Sequence, residues 1–155
     1  MKVCLSIGYN PDGVEAGSTG GIRLKKFETL VDEFVRCVRE RRNVDYESRI
    51  SVAKYNALAR RCTKIAKTLD KYHHDRIDDF LALLDCDEWD VRVACAVHVI
   101  HDISCTEEQR KSAIHLIRKY IEEAADPVEA LGFTMNLQDW EASSSSSPDC
   151  KVDAP

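Results

Sequence analysis

From residue 24 to residue 141 the apolar side chains recur at every third or fourth position, block after block, without settling into sustained alternation. That spacing lines one face of an α-helix and leaves no pattern for a sheet. Leu24, Phe27, Leu30, Val31, Phe34, Val35 and Val38 predict a first helix from about Leu24 to Arg41. Asp45 is a suitable cap for a second, longer helix reaching about Leu69. Its inner stripe is expected to be Ile50, Ala53, Ala57, Leu58, Ile65 and Leu69. A third, short helix is expected from about Asp75 to Leu84, with Ile77, Phe80, Leu81 and Leu84 turned inward.

A fourth helix, from about Glu88 to Ile103, is apolar nearly all round, which marks it as the central buried element. Its small residues Ala94, Cys95 and Ala96 permit close packing. The acidic residues before and at its start suit the positive end of the helix dipole. Thr106-Glu107-Glu108-Gln109 spells a capping box and starts a fifth helix running to about Ala124. Asp126-Pro127 opens one or two further turns, because Asp caps well and Pro is preset for the first helical position. Leu131-Gly132-Phe133 is expected to close them, with Gly132 in the left-handed conformation. Leu137 and Trp140 then anchor the chain end. Trp89, Ala94, Val97, Ile114, Ile117, Phe133 and Trp140 are expected in the core.

Three regions follow from these patterns: an N-terminal arm (1–23), a helical domain (24–141) and a Ser-rich disordered tail (142–155). The arm holds five of the six glycines and the linker-like Gly17-Ser18-Thr19-Gly20-Gly21. The opening Met1-Lys2-Val3-Cys4-Leu5-Ser6-Ile7 lacks the continuous apolar stretch of a secretory signal. No apolar run approaches the roughly 20 residues that span a bilayer. Seven cysteines, an odd number with no Cys-x-x-Cys pair, read as free thiols of a cytoplasmic protein.

The segment Ile77 to Ile103 resembles a HEAT repeat: a helix ending in Leu-Leu, an acidic turn over Asp85 to Asp90, then Val91-Arg92 and a small-residue second helix. The resemblance implies that Asp85 or Asp87, together with Arg92, stabilises the corner between the helices. Over roughly Leu30 to Glu141 the chain also resembles a family of small bacterial HEAT-like proteins. The matching residues are Leu30, Val31 and Phe34 near the start, Val91-Arg92 at the centre, and Leu131-Gly132-Phe133 with Leu137 and Trp140 at the end. Asp90 separates Trp89 from Val91, a departure from the central motif. The resemblance implies an all-α fold of antiparallel helical pairs stacked as a short HEAT-like repeat domain, and a role as a toxin-immunity protein. Five to seven helices are expected, in two or three pairs whose neighbours complete a shared core.

Few residues invite chemistry. Cys95, His98, His101 and Asp102 lie three or four apart, with Cys105 and His115 nearby, and zinc takes such donors. The spacing matches no zinc motif, and packing explains Cys95 and His98 better. His73-His74 beside Asp75 has no nameable nucleophile to serve. Gly17 to Gly21 lacks the Lys-Ser/Thr ending of a phosphate loop. The expectation is therefore a non-enzymatic binding module with no catalytic residues, no metal and no cofactor.

Charge suggests the partner. Residues 24–72 hold 13 Lys/Arg against 7 Asp/Glu, whereas residues 73–141 hold 6 against 16. Asp75, Asp78, Asp79, Asp85, Asp87, Glu88 and Asp90 are the expected partner-binding surface, facing a basic protein such as a toxin domain. The alternative is a nucleic-acid module using Arg36, Arg39, Arg41, Arg42, Arg60, Arg61, Lys64, Lys67 and Lys71. No membrane role is expected.

Overall fold

Helix α1 (Phe27–Arg41) forms where the first stripe lay, with Glu28 in its first turn and Arg39 and Arg41 in its last, both favourable to the dipole. The computed structural model describes residues 25–145, so the expected arm (1–23), Leu24 and the end of the expected tail lie outside the described residues. Phe27, Leu30, Phe34, Cys37 and Val38 are the buried face of α1.

Helix α2 (Arg49–Tyr72) begins four residues after the expected cap. Ser48 caps it instead, its Oγ accepting from the Ser51 N–H at 3.3 Å. Asp45 spends its carboxylate on the Glu47 N–H at 3.0 Å, a local turn that shapes the connection rather than the helix. The expected inner stripe holds only for the second half: Cys62, Ile65, Ala66 and Leu69 are buried, while Ile50 is 85% exposed and Ala53 and Ala57 face solvent. Length explains the difference. At about 1.5 Å per residue α2 outruns α1, so its first turns project beyond the layer that would cover them. The antiparallel pairing is visible in successive contacts, Arg61 with Glu33 and then Arg41 with Tyr55 near the end of α1.

The expected third helix is shorter and less regular. A 3₁₀ turn (His74–Arg76) leads into α3 (Ile77–Leu81), which tightens into a second 3₁₀ turn (Ala82–Asp85). This winding points Ile77, Phe80 and Leu81 inward. Phe80 meets Phe34 edge to face at 5.1 Å between ring centres, joining α3 to α1.

Helix α4 (Trp89–His101) is the centre of the molecule, burying Val91, Val93, Cys95, Ala96, His98, Val99 and Ile100. Helix α5 (Glu107–Glu123) starts on the capping box: Thr106 Oγ1 accepts from the Gln109 N–H at 3.2 Å, and Gln109 Oε1 accepts from the Thr106 N–H at 2.8 Å. It returns antiparallel to α4, so that Tyr120 near its end meets Trp89 at the start of α4.

Helix α6 (Pro127–Ser145) departs most from the sequence pattern. Asp126 caps it as expected, accepting from the Val128 N–H at 2.9 Å. The helix then runs straight through Gly132, with no positive φ among the described residues, and four residues past the expected domain end at 141. Packing on its inner side overrides the glycine: Phe133 meets Tyr120 at 4.8 Å, Leu137 is buried, and Trp140 leans on the core. Of the seven expected core residues, Ile117 is fully buried; Trp89, Ala94, Val97, Ile114, Phe133 and Trp140 pack against the core while partly exposed.

The fold is all-α, with no strand among the described residues. Helices α1 and α2, α4 and α5, and α5 and α6 pack as successive neighbours, and α1 against α4 joins the first pair to the rest. No helix of the described residues is long and apolar enough to cross a membrane.

Candidate interaction surfaces

The α3 region and the start of α5 form an acidic edge. Asp75, Asp78, Asp79, Asp85 and Asp87 are all exposed there. The capping residue Gln109 also donates its Nε2 to Asp78 at 2.8 Å, which brings the exposed Glu107 and Glu108 of α5 beside α3. Arg76 is the local cation, and it is already engaged: Nη2 lies 3.0 Å from Asp79, and Nη1 pairs with Glu28 on α1. The arginine beside it holds the Glu28 carboxyl below its usual range.

Glu88 and Asp90 do not belong to that exposed edge, contrary to the sequence expectation. Arg39 and Arg42, from the last turn of α1 and the residue after it, close on Glu88, with Arg42 Nη2 at 2.9 Å, and Arg42 also pairs with Asp90. The Arg39 contact chiefly holds Glu88 below the ordinary carboxylate range. Sequence counting placed these charges in opposite halves of the chain; the fold puts them against each other at the α1–α4 seam, where they neutralise locally.

The corner between α3 and α4 is held by Arg92. Its Nε donates to the Leu84 carbonyl at 2.9 Å, and its guanidinium lies 4.9 Å from the Trp89 ring centre. A backbone carbonyl at the end of the 3₁₀ turn is an orphan acceptor that a nearby cation satisfies.

The basic set divides in the same way. Arg61 is bound to Glu33 at 2.6 Å, and Arg41 donates to the Tyr55 hydroxyl at 2.8 Å. Burial pushes the Glu33 carboxyl upward, but Lys25 and Arg61 outweigh it and hold the group low. Arg36 lies 4.0 Å from Glu40. What remains is a line along the outer side of α2: Arg60, Lys64, Lys67 and Lys71, interleaved with Thr63 and Thr68 and ending at Tyr72. Lys67 reaches Asp102 at 3.6 Å, and Lys71 lies over the Tyr72 ring at 4.8 Å.

The possible metal donors are dispersed into separate structural roles. Cys95 is fully buried, its thiol directed at the Phe80 carbonyl at 3.8 Å, and burial pushes its pKa far up. His98 binds Asp102 through Nδ1 at 2.7 Å and sets its ring edge to face with Phe34. His101 bonds to Asn136 on α6 at 3.0 Å, Cys105 turns to the Val99 carbonyl, and His115 is exposed. No three His, Cys, Asp or Glu residues are grouped to hold a metal ion among the described residues. His73 and His74 also part company: His73 Nε2 meets the Lys25 carbonyl at 3.1 Å, and His74 lies 3.3 Å from Asp70.

Two carboxylates, Asp70 and Asp102, tie the helices together. Asp70 accepts from both the N–H and the hydroxyl of Ser104, at 2.8 and 3.0 Å, fixing the end of α2 to the α4–α5 connection. Asp102, nine-tenths buried, bridges His98 on α4 and Lys67 on α2. The spacing of four places His98 and Asp102 on one helix face in the sequence already; nothing local points to Asp70 and Ser104, which are 34 apart.

Compared with protein-family models, curated proteins and solved structures, the chain gives no match in any of the three.

Proposed function

We propose that this protein is a non-enzymatic protein–protein binding module, a HEAT-like immunity protein of the cytoplasm that captures and occludes a basic toxin domain. The observation that carries this reading is the exposed acidic edge of Asp75, Asp78, Asp79, Asp85 and Asp87, whose local cation Arg76 is already committed to Glu28 and Asp79. Such an edge attracts a basic surface over a Debye length, speeds encounter and fixes register. Glu88 and Asp90 support it from behind by pinning α1 to α4. The test is to express the product of the neighbouring gene, ask whether it arrests growth, and co-express this chain with it. Growth should be restored by the wild-type protein and not by Asp78→Lys with Asp79→Lys, at equal protein levels. No protection by the wild type would overturn the immunity role.

A second reading rests on the α2 line of Arg60, Lys64, Lys67 and Lys71. Cations at helical spacing can track phosphates, which would give salt-sensitive and sequence-tolerant binding. The committed state of Arg39, Arg42 and Arg61 leaves this face narrower than the composition implies. The acidic edge is therefore the preferred working surface. Tight binding of a generic oligonucleotide at physiological salt would reverse that preference.

A further inference from the structure

Helix α6 is apolar on two opposite sides, and the described residues cover only one of them. Phe133, Leu137 and Trp140 face the core. Val128, Leu131 and Met135 stand at i, i+3 and i+7 on the other side, with relative exposures of 74%, 58% and 56%. Scattered exposed apolar residues need no explanation. Three in register over two turns are different, because the last helix of a helical stack ordinarily turns a polar face outward.

Gly132 gives a second, independent indication. It sits between Leu131 and Met135 in the interior of α6, where glycine weakens a helix. A Cβ built there would meet nothing within 4 Å, so the packing of the described residues does not require a glycine. A second helix crossing the stripe would use the gap, since a missing side chain at a crossing point lets two helices approach more closely.

The charge around the stripe selects the kind of helix. Residues 122–141 contain six carboxylates and no Lys or Arg; Arg118 and Lys119 of α5 pair with Glu141 and Glu123, and Glu129 is turned to Tyr120, which leaves Glu122, Asp126 and Asp139 as the acidic excess. A second copy laid antiparallel on the stripe would bring Asp126 toward Asp139 of its mate, like charge on like. A partner with flanking lysines or arginines meets complementary charge instead. We infer that the outer face of α6 docks an amphipathic helix of a protein partner, seating its apolar anchors on Val128, Leu131 and Met135 and its basic flanks against the surrounding carboxylates. This face is separate from the acidic edge at α3, and either can fail without the other.

The test titrates the full chain with a synthetic amphipathic helical peptide carrying leucines at i, i+4 and i+7 and lysines at both flanks, beside a twin with glutamate flanks. Binding is read by fluorescence anisotropy and by amide shifts. The lysine peptide should bind and shift α6 amides, and the glutamate twin should not. Leu131→Gln with Met135→Gln should weaken binding by about tenfold or more, as loss of central anchors does. Val128→Gln alone should weaken it less. Asp78→Lys with Asp79→Lys at the other surface, and the exposed Ile50→Gln, should leave it unchanged. All these side chains are exposed, so melting temperatures should hold, which separates lost docking from lost folding. Lysine-peptide binding that ignores the α6 substitutions would overturn the inference, as would equal binding of both peptides. A concentration-dependent dimer abolished by Leu131→Gln would also overturn it, naming a second copy as the occupant.

Discussion

Arg92 Nε donates to the Leu84 carbonyl across the corner between α3 and α4, at 2.9 Å, while its guanidinium stacks on Trp89. One side chain thus closes the turn and covers the indole. Arg92→Lys keeps the charge but loses the planar fork and its stacking. It should destabilise the protein by roughly 1–3 kcal/mol, the range for a hydrogen bond to a charged group. Urea unfolding measures it; an unchanged midpoint would mean the corner is held by packing alone.

Acid should loosen the molecule through Asp102. Burial raises its carboxyl, but the bonds from His98 and Lys67 outweigh that, and the folded group titrates below its ordinary value of 3.8. Below about pH 4 the unfolded chain therefore binds more protons, so this contribution is complete above that range and lost as pH falls through the lower, folded pKa. Asp102→Asn should flatten the acid limb of the stability–pH curve and lower stability at neutral pH. An acid limb identical to the wild type would assign the sensitivity to other carboxylates, with Glu33 the next to substitute.

Apolar truncations should follow burial rather than size. Phe34 is fully buried between Phe80 and His98, so Phe34→Ala should cost about 3–5 kcal/mol. Trp140 leans on the core while remaining partly exposed, and its truncation should cost less, about 1–3 kcal/mol. Thermal unfolding ranks the two; a larger loss at Trp140 would show that α6 anchors the fold more firmly than its exposure suggests.

The helical periods, the central place of α4 and the Thr106–Gln109 box were legible in the sequence because each is a local rule: spacing, composition and a four-residue cap. Ile50 and Asp45 were misread for a non-local reason. Whether the start of α2 is covered depends on α1 ending sooner, and whether Asp45 caps depends on what Ser48 and Ser51 do. Gly132 was read as a stop because glycine closes many helices, yet tertiary packing of Phe133 and Leu137 carries the helix past it. The acidic surface was half legible. Asp75 to Asp87 stand exposed as expected, whereas the ties of Glu88 and Asp90 to Arg39 and Arg42 come from residues about half a hundred positions away, beyond any local pattern.

Gly132→Ala should stabilise the isolated protein by up to about 1 kcal/mol, because the site is helical and open to a methyl group. Chemical denaturation tests this directly. Destabilisation would mean that α6 is not continuous through residue 132 in solution.

The central claim is that the acidic edge, and not the α2 line, is the working surface. The decisive measurement is the association rate of the neighbouring gene's product, if it arrests growth, with wild type, with Asp78→Lys plus Asp79→Lys, and with Arg60→Glu plus Lys64→Glu, as salt is raised. The Asp pair should slow association more than it hastens dissociation, with salt reproducing part of that loss. The α2 pair should leave the rate unchanged or raise it, and a generic oligonucleotide should bind negligibly at physiological salt. An association rate insensitive to the Asp pair, together with tight oligonucleotide binding abolished by the α2 pair, would contradict it.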